Sequence, residues 1–97
     1  MLVTTARMTT PHGAKYIAQL CKHFAHKVEV EWTETTGRAA LPPGPAEMVA
    51  DAEGLSFRLQ AEDARGIIQA RFAIDSHLVI FAHRETFYGL DWVMEAG

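Results

Sequence analysis

Cys21, His23 and His26 lie within one short stretch, YIAQLCKHFAHKVEVEW, and each is of a type that ligates metals or moves protons. Thiolate and imidazole both bind zinc and other transition metals, and a cysteine beside a histidine base is the pairing of thiol nucleophiles. Pro11 to Trp32 also carries three of the five histidines and the single cysteine. Spacing limits what these residues do together. At about 100° per helical residue, Cys21 and His23 sit roughly 200° apart around the axis. Cys21 instead shares the apolar stripe of Ile17, Leu20 and Phe24, where a thiol behaves as a small hydrophobe. His23 and His26, at i and i+3, share the other face. Two imidazoles do not complete a metal site. His77, on the flank of a second helical stretch, is the candidate third, so any metal would fall to His23, His26 and His77. Nucleophilic catalysis would need an exposed Cys21 beside a cation, and the adjacent Lys22 points elsewhere on the helix.

A second chemistry is anion capture. Lys15, Lys22, His23, His26, His77 and Arg84 are suited to a small anionic or oxygen-rich ligand. The competing explanation is that these side chains only solvate two helix surfaces. The charge distribution favours neither outright. Met1 to Val28 holds four cations and no acid, whereas Glu29 to Gly97 holds five arginines against twelve acids, so +4 and −7 recover the net −3. A mildly acidic chain argues against general nucleic-acid binding, which needs many phosphate-neutralising cations. No apolar run approaches the 18–20 or so residues that span a bilayer, no apolar leader follows a basic start, and a lone cysteine fits a reducing compartment. The expectation is one cytoplasmic domain over 1–97, with neither nucleic acid nor membrane as partner.

The elements that must position these residues follow from hydrophobic period. Leu2 to Met8 reads as a strand. Thr10 suits a helix N-cap and Pro11 the first helical position, opening a helix with the Ile17–Leu20–Cys21–Phe24 stripe. At Val28 the period switches to two: Val28, Val30 and Trp32 alternate with Glu29 and Glu31. Gly37 reads as the positive-φ residue of the next turn. Arg38 to Leu41 is a short strand, and Pro42-Pro43-Gly44-Pro45 forbids regular pairing. Ala46 to Ala52 and Leu55 to Ala61 are strands. Glu62-Asp63 opens a second helix reaching roughly to Ala82, whose main face is Ala64, Ile67, Ile74, Leu78, Phe81 and Ala82. Arg71 and Asp75, one turn apart, are placed to pair. Leu90 to Met94 makes a last strand. The order β-α-β-β-β-β-α-β predicts an α+β fold in two layers, with a mostly antiparallel sheet and both helices on one face. Its core would join Ile17, Phe24, Trp32, Phe57, Leu78 and Phe81. Phe72, Val79 and Ile80, with Ile68 at the stripe's edge, leave the second helix apolar on more than one side. That predicts a homodimer or partner surface.

With YIAQLCKHFAHKVEVEW, HLVIFAHRE and the closing strand around Trp92 read together, the chain resembles the bacterial domain-of-unknown-function family 2218 almost end to end. The resemblance implies a TATA-binding-protein-like fold, similar to phosphohexomutase C-terminal domains, and a setting beside siderophore-interacting ferric reductases. The chain departs from that pattern at Val79 and Ile80, where charged residues are usual. Three functional classes remain. The first is a non-enzymatic binding or accessory module linked to siderophore or iron handling, which takes an anionic or ferric-siderophore ligand, needs no cofactor and self-associates through the second helix. The second is a metal-dependent or acid–base enzyme using the histidine cluster. The third is a structural protein–protein interaction domain.

Overall fold

The computed structural model describes residues 1–95, so the last two positions of the expected 1–97 domain lie outside the described residues. Strand β1 (Leu2–Thr9) leads to helix α1 (Gly13–Phe24). Four strands follow: β2 (Val30–Trp32), β3 (Thr36–Leu41), β4 (Gly44–Ala50) and β5 (Gly54–Ala61). Helix α2 (Ala64–Phe81), a single 3₁₀ turn (His83–Glu85) and strand β6 (Val93–Met94) complete the order. The six strands form one antiparallel sheet, ordered β2-β3-β4-β5-β1-β6. This is the α+β arrangement that the alternation of periods predicts.

Period two decides which sheet face the helices cover. In β5, Leu55, Phe57, Leu59 and Ala61 are buried, while Ser56, Arg58 and Gln60 lie on the open face. Ile17, Leu20, Cys21 and Phe24 from α1, and Ile74 and Leu78 from α2, close the same core. Gly37 is not a turn residue. It pairs with Met48 and Trp32 inside the sheet, and a Cβ there would lie 2.7 Å from Ile17 Cγ2 and 3.2 Å from Cys21 Sγ. Its missing side chain is what lets α1 lie close on β3.

Other departures share a cause: a side chain recruited by a distant element. Thr10 does not cap α1. Its hydroxyl accepts from the His12 amide (3.0 Å) and donates to Glu85 (2.8 Å), and the helix starts later, at Gly13. Arg71 and Asp75 do not pair with each other. Arg71 donates to Thr4 Oγ1 (2.6 Å) on β1, and Asp75 accepts from the Leu90 amide (3.2 Å) and Trp92 Nε1 (2.9 Å). Only Val93–Met94 of the expected last strand pairs, because Asp75 holds Leu90 and Trp92 against α2. The prolines do not end pairing either. Pro42 and Pro43 form a two-residue turn with Leu41 opposite Gly44, and the β4–β5 ladder starts only at Ala46–Leu59, just past Pro45. Gly44 takes φ +158°, and a Cβ there would fall 2.1 Å from the Gln60 carbonyl oxygen. Asp63 caps α2 as its charge predicts, accepting from the Gly66 amide at 2.8 Å.

The expected core needs one exchange. Ile17, Phe24, Phe57 and Leu78 are in it and Phe81 packs half-buried against it, but Trp32 is 40% exposed. Trp32 ends a three-residue edge strand that neighbours only β3. Trp92 packs against the core instead, its ring 6.0 Å from Phe57. Ala64, assigned to the buried face of α2, is exposed, because that face begins at Gly66 and Ile67.

Candidate ligand-binding site

Helix α1 stops at Phe24, where the amides of Lys27 and Val28 both turn back to its carbonyl. This turn brings His23, His26 and Lys27 to the C-terminal end of the helix, where the backbone dipole favours positive charge. Opposite it, α2 presents Ala73 and His77. The His23 and His77 rings meet at a centroid distance of 4.1 Å, tilted by 47°, and Phe24 lies edge-on to His77 at 5.4 Å. Two helices thus bring together imidazoles that are far apart in the chain.

The ring nitrogens are not equivalent. His77 Nδ1 lies 2.6 Å from the Ala73 carbonyl oxygen. A carbonyl only accepts, so Nδ1 carries the proton of the neutral ring and Nε2 keeps its lone pair. Beside it, partial desolvation, then the proximity of His77, His26 and Lys27, lowers the His23 pKa from its ordinary value of 6.5. Both effects disfavour the charged ring.

These groups line a groove of about 380 Å³. Phe24, Val28, Leu41, Pro42 and Ala73 make its apolar wall, and His23, His26, Lys27 and His77 supply its polar groups. An apolar hollow with a few convergent polar groups is the usual form of a small-ligand site. A larger hollow of about 520 Å³ lies on the open sheet face, lined in part by Thr5, Arg7, Glu47, Val49 and Arg58. Its two cations are already paired, Arg7 with Asp51 at 3.0 Å and Arg58 with Glu47 at 3.6 Å and Glu95 at 3.4 Å.

The structure divides the residues singled out by the sequence. His23, His26 and His77 share the groove, whereas Lys15, Lys22 and Arg84 are exposed and do not line it. Lys27 does line it, although in the sequence it stands out only as one of the four cations of Met1 to Val28. The three histidines do not close on one point: among the described residues, no group of three or more His, Cys, Asp or Glu is placed to hold a metal ion. The reason is local, since His26 falls past the last helical residue and not at i+3 on a continuing helix face. Cys21 is fully buried, and that burial raises its thiol pKa, the reverse of what a thiolate nucleophile needs. On α2, Ile68 and Ile80 are each 64% exposed, Phe72 72% and Val79 37%, an apolar surface turned away from the sheet.

A second polar cluster has no forewarning in the sequence. Glu85, from the 3₁₀ turn, accepts hydrogen bonds from the hydroxyls of Tyr16 and Thr10, both buried, at the opposite end of α1. Burial, then the Glu85 carboxylate, pushes the Tyr16 pKa up to about 12. Each hydroxyl of the cluster is already spent on the carboxylate.

Among the described residues, no helix is long and apolar enough to cross a membrane. No curated protein matches the chain. The fold is similar to the NMR structure of PA4090 from Pseudomonas aeruginosa, with 25% identity over 98% of this chain and 96% of that one, and a TM-score of 0.77. A family model described as "uncharacterized protein conserved in bacteria" matches residues 5–93. The chain therefore belongs to that family, the bacterial domain of unknown function 2218.

Proposed function

We propose that the protein is a non-enzymatic binding module that holds a small ligand in the groove between α1 and α2. One observation carries this reading: two imidazoles meet at 4.1 Å beside an apolar wall, with His26 and Lys27 lining the same groove. Flat rings and alkyl walls suit an aromatic or otherwise apolar body. Lys27 and the imidazole N–H groups suit an anionic edge. Catecholate and related oxygen-rich arenes have both features, which accords with the siderophore or iron-handling setting implied by the family resemblance. Binding is favoured over thiol or carboxylate catalysis because Cys21 is buried and Glu85 is held by two hydroxyls, leaving the groove its imidazoles and one lysine.

The test is amide chemical-shift mapping with 2,3-dihydroxybenzoate, its ferric complex, and benzyl alcohol as an uncharged control. The anionic arenes should shift His23, Lys27, Ala73 and His77, and the control much less. No shift at these positions with any of the anionic probes removes the reading.

A second reading is self-association through α2, with the protein acting as an interaction domain. It is supported by Ile68, Phe72 and Ile80, each about two-thirds exposed on one helix. Repetition of the same stripe on a second copy would make an isologous contact. Val79→Glu or Phe72→Glu should then convert a dimer to a monomer in sedimentation without loss of the fold. A wild-type protein that sediments as a monomer ends this reading.

A further inference from the structure

We propose that His23 and His77 form a two-imidazole site for a divalent transition metal of tetragonal preference, Cu(II) or Ni(II), with its remaining coordination positions open to the groove. The proposal deepens the binding role of the same groove and rests on that reading for what completes the metal's coordination.

Three observations carry it. First, the two rings come from different helices and approach to 4.1 Å between centroids. Imidazole nitrogens bind such ions at about 2.0–2.1 Å, which puts ring centres roughly 4.5 Å apart at a right angle about the metal and roughly 5 Å apart at a tetrahedral one. The observed separation is shorter than both, so the rings would part by about 0.4 Å to reach the right-angle geometry, the smaller of the two movements. Imidazoles in square-planar or tetragonal sites are the preference of Cu(II) and Ni(II). Second, His77 donates Nδ1–H to the Ala73 carbonyl at 2.6 Å. A hydrogen bond from the distal nitrogen to a carbonyl is what orients metal-bound histidines and fixes the tautomer, and here it leaves Nε2 with a lone pair. Third, both rings line an open groove, so water or a ligand oxygen can take the other positions.

The groove's charges shape the outcome. Lys27 opposes a cation, and among the described residues no carboxylate lines the groove. The imidazoles must therefore supply the affinity, and an anionic ligand joining the metal would offset Lys27. This links the metal to the oxygen-rich ligand class of the groove. His26 lines the same groove but ends up outside any three-ligand cluster, so it is not assigned as a ligand.

The test uses the whole chain and metal chloride alone. Ni(II) is titrated while amide and histidine ring signals are recorded, and Cu(II) is followed by electron paramagnetic resonance. Paramagnetic broadening should centre on His23 and His77, and the copper spectrum should show coupling to two nitrogens. His23→Gln and His77→Gln should each weaken binding at least about tenfold, whereas His12→Gln and His83→Gln should leave it unchanged. Broadening centred on His12, His83 or the amino terminus overturns the proposal, as does wild-type affinity in His77→Gln. If His77→Gln fails to fold, the exposed His23→Gln decides by the same criterion. Failure of the metal is distinguishable from failure of the groove as a binding site, because dihydroxybenzoate mapping is run in metal-free buffer.

Discussion

The two ends of α1 meet α2 and the segment after it in opposite ways. At the N-terminal end, Thr10 and Tyr16 are buried and both donate to Glu85. At the C-terminal end, His23 and His77 meet at a tilt and line a groove. His77 spends one nitrogen on a carbonyl of its own helix and keeps the other. Both ends carry ionisable side chains close together, yet only one has binding capacity left. Buried polar groups that hold a fold have their donors and acceptors consumed by one another. Groups available to a ligand have not. The difference distinguishes a clasp from a receptor more sharply than residue type does, since a Tyr–Glu–Thr cluster on its own suggests acid–base chemistry.

The comparison breaks first at Glu85. Replacing it with alanine leaves two buried hydroxyls without an acceptor, and the expected loss is about 3 kcal/mol in urea unfolding. Dihydroxybenzoate should still shift the groove in Glu85→Ala under folding conditions. A loss well under 1 kcal/mol would mean that this end is not a clasp.

The same clasp should show in alkali. Tyr16 is held near 12 in the folded protein against about 10 when unfolded. Between those values the folded state binds the extra proton, so its stability is complete below pH 10 and falls as pH rises through 12. The wild type should lose about 2–3 kcal/mol over that interval beyond what Tyr16→Phe loses. Parallel curves for the two proteins would show that Tyr16 does not titrate as a buried phenol.

At the open end the effects should invert, small on stability and large on binding. His77→Ala should cost at most about 1 kcal/mol in unfolding, because it removes one hydrogen bond and a half-buried ring. It should weaken dihydroxybenzoate binding at least about tenfold, a loss of about 1.4 kcal/mol. A variant that unfolds like Glu85→Ala and binds normally would exchange the roles of the two ends.

The smallest effect is a titration. His23 should titrate by NMR below 6.5, and His77→Ala should bring it part of the way back by removing one of its causes. Because the folded pKa is the lower one, the unfolded chain takes up the proton first as pH falls below 6.5, so this residue's contribution is lost toward acid. An unchanged His23 midpoint in His77→Ala would mean that the two rings do not interact in solution.

Local pattern carried much of the architecture. The Ile17–Leu20–Cys21–Phe24 spacing, the alternation through Leu55–Ala61 and the Asp63 cap all specify elements that the structure contains, and the first of these also places Cys21 in the core. The errors lie where one element covers another. Trp32 and Trp92 both sit in alternating apolar stretches, but β2 is a sheet edge, whereas Asp75 draws Trp92 onto α2. Gly37 reads as a turn residue until Ile17 is seen over it. Arg71 and Asp75 match the spacing of a helical ion pair, yet each has a better partner elsewhere in the fold.

The candidate site divides along the same line. The sequence by itself determined that α1 buries its cysteine, exposes His23 on another face and ends in positive charge, because helical period and residue type are local properties. Only the tertiary structure decided that His77 would meet His23 and that Lys27, not Lys15, Lys22 or Arg84, would line the groove. It also decided that Glu85 would close on Tyr16 and Thr10. Those outcomes depend on how α2 crosses α1 above the sheet, which is set by packing among residues distant in sequence and is written in no single stretch of the chain.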